Sequence, residues 1–160
     1  MEDKIKSIEE IEKIAEDLRK QGKIIVMTSG IFDILHSAHI NFFRKAKEQG
    51  DVFIVFLNND ISTKKNKGEN RPIIPERERA NILSAIEYID YIVLFGEEKP
   101  LECYRRVKGQ ICVKGGSYDA ERLKEQQKLL DGWGGIHKIF ELEKGISTTN
   151  IIEKVLKTYK

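Results

Sequence analysis

The sequence predicts an α/β domain, a doubly wound parallel sheet of five strands with helices on both faces. Three observations predict it. Short apolar runs, the mark of strands buried on both faces, recur five times along the 160 residues. Segments with apolar residues at helical spacing separate successive runs, which implies parallel pairing. No linker or internal repeat divides the chain, whose length suits one domain with a real core.

In chain order, Ser7 and Glu10 form a capping box ahead of Ile8, Ile11, Ile14 and Leu18, so a helix starts there and ends near Gln21-Gly22. Residues 1–22 are therefore expected to be an amino-terminal helix packed on a domain of residues 23–160. Ile24 to Met27 is the first strand, a helix runs from about Ala38 to Gln49, and Val52 to Leu57 is the second strand. Asn58 to Asn70 is a polar stretch rich in Lys and Asn, with no element assigned to it. Pro75 serves as the first residue of a helix reaching about Tyr88. Tyr91–Phe95 is the third strand and Leu101–Val107 a short helix. Ile111–Val113 is the fourth strand, followed by a helix from about Ala120 to Leu130. Residues 137–142 make a weaker fifth strand, and Ser147 begins the last helix.

Composition limits the function classes. Hydrophobic residues at 40% and charged residues at 34% describe a globular chain with a charged surface, not a disordered one. A net charge of +2, with opposite signs interleaved, gives no footprint for nucleic acid. No apolar run approaches the ~20 residues needed to cross a bilayer, and the amino terminus lacks the apolar core of a signal peptide. Cys103 and Cys112 show neither metal-ligand spacing nor CxxC, which fits a reducing compartment. The expected location is the cytoplasm.

Ligands of such sheets bind beyond the carboxyl ends of the strands, where the unusual polar residues fall. The first group is Thr28-Ser29-Gly30-Ile31-Phe32-Asp33-Ile34-Leu35-His36-Ser37-Ala38-His39. Gly30 allows a tight path from strand toward helix. His36 and His39, three apart at a helix start, can address one spot where N–H groups and the helix dipole attract phosphate. Their N–H donors suit charge growing on a transferring phosphoryl group. A core or zinc-binding pair is the competing reading; zinc is disfavoured because no Cys or third His lies nearby, His137 being the one other candidate. Asp33 either orients a histidine or holds the loop.

Ser147, Thr148 and Thr149 exceed what capping needs and offer a second phosphate site at a helix amino terminus. After the fourth strand, Gly115 and Gly116 allow close backbone approach to a ligand, and Lys114 supplies a point charge. Lys64, Lys65 and Lys67 are either phosphate screens or a solvated basic loop. Trp133 either lines the sugar site or packs, and packing is the preferred assignment.

These strings carry a family resemblance. GIFDILHSAH is similar to the GxFDxxHxGH signature of the cytidylyltransferase-like nucleotidyltransferases, with Ala38 where glycine is usual. Gly145-Ile146-Ser147-Thr148-Thr149 matches their GISTT motif, a triphosphate-binding element. Leu142-Glu143-Lys144 stands where some cytidylyltransferases carry Arg-Thr-Glu, which counts against the glycerol-phosphate and choline-phosphate branches. Lys114-Gly115-Gly116-Ser117-Tyr118 resembles the KGGDY segment of bacterial heptose 1-phosphate adenylyltransferases, with Ser117 replacing Asp. Asn58-Asn59-Asp60 through Arg71-Pro72, Pro75 and Arg79 is similar to their NSD…KGxxRPxxPxxxR stretch, and Gly132-Trp133-Gly134-Gly135 resembles a feature of stand-alone members.

The resemblance implies a Rossmann-like fold and in-line displacement at the α-phosphorus of a nucleoside triphosphate. It implies catalytic roles for His36, His39 and Lys114, and nucleotide contacts from Gly30, Ile31, Phe32, Ala38, Ser147, Thr148 and Thr149. Asp33, Asn58, Arg71, Gly115 and Gly116 would contact the acceptor substrate. Mg2+ would arrive with the triphosphate, without dedicated protein ligands. The implied substrates are ATP and a sugar phosphate, heptose 1-phosphate first among them, giving ADP-heptose for a surface glycan. A homodimer is compatible with this. A separate upstream sugar kinase is expected, because 160 residues leave no room for the kinase domain fused to larger relatives. The alternatives are a polyol-phosphate cytidylyltransferase or flavin adenylyltransferase of the same superfamily, and a catalytically silent nucleotide-binding module suggested by Ala38.

Overall fold

The computed structural model describes residues 4–116, 119–141 and 145–159. Helix α1 (Ile8–Lys20) leads into strand β1 (Ile25–Gly30), α2 (Ser37–Lys47) and β2 (Val52–Asn58). Two helices follow, α3 (Asp60–Lys67) and α4 (Glu76–Ser84), then β3 (Tyr91–Phe95), α5 (Leu101–Val107) and β4 (Ile111–Gly115). Helix α6 (Ala120–Asp131), β5 (Ile136–Phe140) and α7 (Thr148–Thr158) complete the order. The five strands form one parallel sheet in the order β3-β2-β1-β4-β5.

Alternation along each strand builds the two cores. Ile25 and Met27 of β1 join Ile54, Phe56, Val93 and Cys112 under α1, α5 and α6. Val26 joins Phe53, Val55, Ile92 and Val113 under α2 and α4. The amino-terminal capping box is present: Glu10 N–H donates to the Ser7 hydroxyl at 3.1 Å, and Ser7 N–H to the Glu10 carboxylate at 2.7 Å. The helix it starts buries Ile11 and Ala15 completely and is clasped by Arg106 of α5, which reaches Glu9 and Glu12.

Four expectations need correction. The polar stretch after β2 contains α3, capped by the Asn59 side chain accepting from Ser62 N–H at 2.9 Å. Pro75 is the N-cap of α4 and not its first residue, and the helix stops at Ser84 rather than Tyr88. Strand β1 begins one residue later than expected, because Ile24 is turned out to solvent, and it continues to Gly30. The fifth strand is Ile136–Phe140, while residue 142 lies outside the described residues. Among the described residues no helix is long and apolar enough to cross a membrane.

The chain winds outward from β1 through β2 to β3, then crosses back to place β4 on the other side of β1. That reversal parts the loops beyond the carboxyl ends of β1 and β4 and opens a crevice there.

Candidate active site

A cavity of about 470 Å³ occupies the crevice. Gly30, Ile31 and Phe32 from the end of β1, His39 from α2, Asn58 from β2, and Lys114 and Gly115 from β4 all line it. Seven residues singled out from the sequence are thereby brought to one wall.

The loop from β1 to α2 is shaped by its aromatic residue. Phe32 takes a left-handed backbone (φ 46°), a conformation that costs a non-glycine residue roughly 1 kcal/mol or more. Its ring returns over Gly30, where a Cβ would lie 2.8 Å from it, so any larger residue there would push the ring aside. The same ring packs edge-on against His39 and Phe43, with centroids 5.7 and 5.1 Å away.

His36 caps α2, and its ring stacks on that of His39 with centroids 3.9 Å apart. The His36 N–H donates to His39 Nδ1 across a long 3.4 Å, which assigns the ring proton of neutral His39 to Nε2. His36 Nδ1 is buried and has no hydrogen-bond partner. Burial pushes the His39 pKa down to about 4, helped by the neighbouring His36, and burial lowers that of His36 as well. Both rings are therefore neutral at pH 7 and serve as N–H donors. The helix behind them has its first N–H groups, those of Ser37 and Ala38, at a terminus where no preceding turn supplies acceptors.

Lys114 is the cation of the cavity. Its Nζ donates to the Ser29 hydroxyl at 2.8 Å, and the buried Tyr104 hydroxyl donates to the same oxygen at 3.1 Å. Burial lowers the Lys114 pKa, and the charge of Arg122 adds to this while Cys112 opposes it. Among the described residues no carboxylate pairs with it, so it is a desolvated ammonium group poised for an anion.

Asp33 bonds to neither histidine among the described residues and ties its own loop to the one ahead of α4. Its buried carboxylate accepts from Arg71 Nε at 2.7 Å and from the Ile73 and Ile74 N–H groups at 2.8–3.0 Å. Both Asp33 and Arg71 thus clamp the loop of residues 71–75 and stand outside the cavity lining. Arg79 completes the clamp from below: 1% exposed, it donates to the carbonyls of Ile31, Asn58 and Ile74 and pairs with Asp60 at 2.7 Å.

Ala38 also differs from expectation. It is 2% exposed, shares the sheet-facing side of α2 with Phe42 and Ala46, and does not line the cavity. Its methyl group belongs to the core, so what the residue can offer a nucleotide is its backbone. Ser147 caps α7 by accepting from Asn150 N–H at 3.1 Å, and Thr148 Oγ1 donates to the Ile34 carbonyl at 3.2 Å. That bond sets the amino terminus of α7 against the histidine loop, two residues before His36. His36, Ser147, Thr148, Thr149 and Gly116 stand outside the cavity lining. Ser117, Tyr118 and Leu142–Lys144 lie outside the described residues. Trp133 packs as assigned, its Nε1–H donating to the Gly109 carbonyl at 2.9 Å.

Several lining residues had no sequence signal of their own. Asn66 comes from the unexpected α3, which also brings in Lys67 of the basic stretch, Glu98 from the loop after β3, and Asp119, Arg122, Leu123 and Gln126 from the start and one side of α6. The last four recur at helical spacing directly after the Lys-Gly-Gly segment, which was the available clue. Ser29 and Tyr104 form the seat of Lys114 across 75 residues, which no local pattern reveals.

The Cytidylyltransferase-like family matches residues 27–154, covering both the histidine loop and the start of α7. The chain belongs to that family. Among its curated relatives, the Bifunctional protein HldE of Geobacter metallireducens is 42% identical over 98% of this chain, and that of Nitratiruptor sp. is 44% identical over 96%. The chain spans about a third of the length of these relatives. Among solved structures, the lipopolysaccharide core biosynthesis protein from Thermoplasma volcanium is 31% identical, with a TM-score of 0.63, covering 78% of this chain and all of that one. A pantoate-beta-alanine ligase from Francisella tularensis, 15% identical with a TM-score of 0.64, covers 96% of this chain and 78% of its own, and shows the shared fold.

Proposed function

We propose that this domain is an adenylyltransferase that joins AMP from ATP to heptose 1-phosphate, releasing pyrophosphate and giving ADP-heptose. The observation that carries the reading is Lys114, a desolvated cation without a carboxylate, facing the same cavity as the neutral donor His39. Identity of about 40% with the HldE proteins across nearly the whole chain supports the heptose acceptor, as does the lipopolysaccharide role given to the Thermoplasma relative.

The acceptor phosphate is already anionic, so an oxygen of it attacks the α-phosphorus without a strong general base. The bond from the α-phosphorus to the bridging oxygen breaks in line, and pyrophosphate leaves. His39, through Nε2–H, and His36 donate to the α-phosphate and bridging oxygens as their charge grows. Lys114 balances the α-phosphate, while the N–H groups of α2 and α7 receive the remaining phosphates. Mg2+ belongs to the substrate as MgATP. The Asp33 oxygens are taken by Arg71, Ile73 and Ile74, so this carboxylate is not free to hold it, which suits a metal carried on the triphosphate. The silent-module alternative rests on Ala38, whose methyl group is buried in the core. The reading includes a cytoplasmic setting, a homodimer and a separate kinase that phosphorylates the sugar; light scattering of the purified protein tests the dimer.

Pyrophosphate release with ATP or CTP against heptose 1-phosphate and glycerol phosphate tests the central claim. Turnover of ATP with the heptose is the expected result. Turnover confined to CTP with glycerol phosphate overturns it.

A further inference from the structure

The cavity passes over the carboxyl edge of the sheet, from the histidine loop above α2 to the inner side of α6. At the α6 end stands Gln126, 2% exposed, its amide oxygen Oε1 shut off from solvent and without a hydrogen-bond partner. Buried amides are almost always paired, so an unpaired one in a cavity wall marks a place where a ligand supplies the partner. One turn away, Arg122 uses a single amino group, donating to Asn66 Oδ1 at 3.0 Å and across 3.4 Å to Glu98, and among the described residues the rest of its fork has no partner. Glu98 and Asp119 add acceptors at the same end.

The direction of the reaction decides what lies there. This step rests on the proposed function. The amino terminus of α7, suited to the departing pyrophosphate, is tied to the histidine loop by Thr148 and stands outside the cavity lining. In-line displacement requires the attacking oxygen to arrive opposite the leaving group, which here is the cavity side. We infer that the α6 end of the cavity is the acceptor's sugar subsite, and that Gln126 selects a polyhydroxylated acceptor by hydrogen bonding to its hydroxyls. A hydroxyl both donates and accepts, so it pairs with either end of the amide after a half-turn of the terminal torsion. Arg122, Glu98 and Asp119 interleave donors and acceptors around it, as a chain of hydroxyls requires.

The test uses Gln126→Leu, which removes the amide while keeping an apolar side chain at a buried site, and Gln126→Glu, which keeps an acceptor. Steady-state kinetics on the whole protein should show the acceptor KM rising about tenfold in Gln126→Leu, as the loss of one hydrogen bond predicts. The KM for ATP and the melting temperature should stay as in the wild type, and Gln126→Glu should recover part of the loss. A deoxy sugar phosphate lacking the contacted hydroxyl should bind wild type and Gln126→Leu alike. A rise in the ATP KM alone would assign Gln126 to the nucleotide and overturn the inference, as would unchanged KM values for both substrates. Failure of the parent reading is seen separately, in wild-type turnover. If the wild type uses another polyol or sugar phosphate, the same KM ratio is read on that acceptor. If it turns over none, calorimetry of sugar phosphates with a non-hydrolysable ATP analogue replaces kinetics, and equal affinity in wild type and Gln126→Leu sinks the subsite.

Discussion

His39 stands in the cavity wall as a neutral ring, and its environment sets the consequences of changing pH. Between pH 6.5 and about 4 the unfolded chain binds a proton at this residue that the folded chain refuses. Its contribution to stability is therefore full above pH 6.5 and is lost as the pH falls toward 4. A phosphate beside the ring favours the protonated form, so ATP binding should take up protons and tighten as pH falls through the same window. Histidine NMR titration with and without ATP checks this; a His39 pKa unmoved by ATP would place the phosphates elsewhere. Replacing His39 with Ala should lower kcat on the order of 100-fold while leaving ATP affinity nearly intact, since the donor acts on charge that grows in the transition state. Single-turnover rates with equilibrium binding separate the two effects. Ala38→Gly has a different signature. Losing a buried methyl group and gaining a poorer helix former should cost about 1–2 kcal/mol of stability, with ATP affinity unchanged. Chemical denaturation beside calorimetry would show it, and tighter ATP binding would mean that the methyl group reaches the nucleotide after all.

At the scale of elements, legibility followed the apolar period. Strand β3 and helix α5 lie where the sequence places them, because their buried residues are large and regularly spaced. Helix α3 escaped for the opposite reason: its buried side chains are Ser62 and Thr63, and its one large apolar residue, Ile61, is 63% exposed. It is held by polar contacts, with the Ser62 hydroxyl under Asn58 Nδ2 and near the Phe95 carbonyl, and such contacts leave no period to find. The same limit hid Gln126 and Arg122, whose relevance depends on how α6 is rotated against the sheet. Asp33 was legible as a site residue but not in its role, since Arg71 reaches it from 38 residues away. The clamp formed by Arg79 makes this testable. Arg79→Met would strip a fully buried donor from three carbonyls and from Asp60, and should destabilise the protein by about 3 kcal/mol or more. Urea unfolding measures it, and a loss under 1 kcal/mol would mean that the loops are held by other contacts.

For the molecule as a whole, the open question is whether the amino-terminal helix is an attachment or part of the domain. The catalytic loops sit at the carboxyl edge of the sheet, and α1 covers the face built from Ile25, Met27, Ile54 and Val93. Ile11 and Ala15 are fully buried there, with Ile8, Ile14 and Leu18 packed beside them. Ahead of the helix, Lys6 N–H donates to the Ile92 carbonyl at 2.9 Å and Ile5 bridges to Ile92, so the segment also continues the β3 edge of the sheet. Burying one large aliphatic side chain contributes about 1.5–3 kcal/mol, so this set contributes about 4 kcal/mol or more. That is a large share of the margin of a domain whose whole stability is about 5–15 kcal/mol. A chain cut to residues 23–160 should therefore be largely unfolded or aggregated at 37 °C, even though every residue assigned to the nucleotide is retained. Because α1 contributes nothing to the cavity lining, low temperature and saturating ATP should restore activity in proportion to the folded fraction. Circular dichroism melts with a parallel pyrophosphate assay provide the measurement. A truncated chain melting like the full-length protein would show that α1 only rests on a domain complete without it.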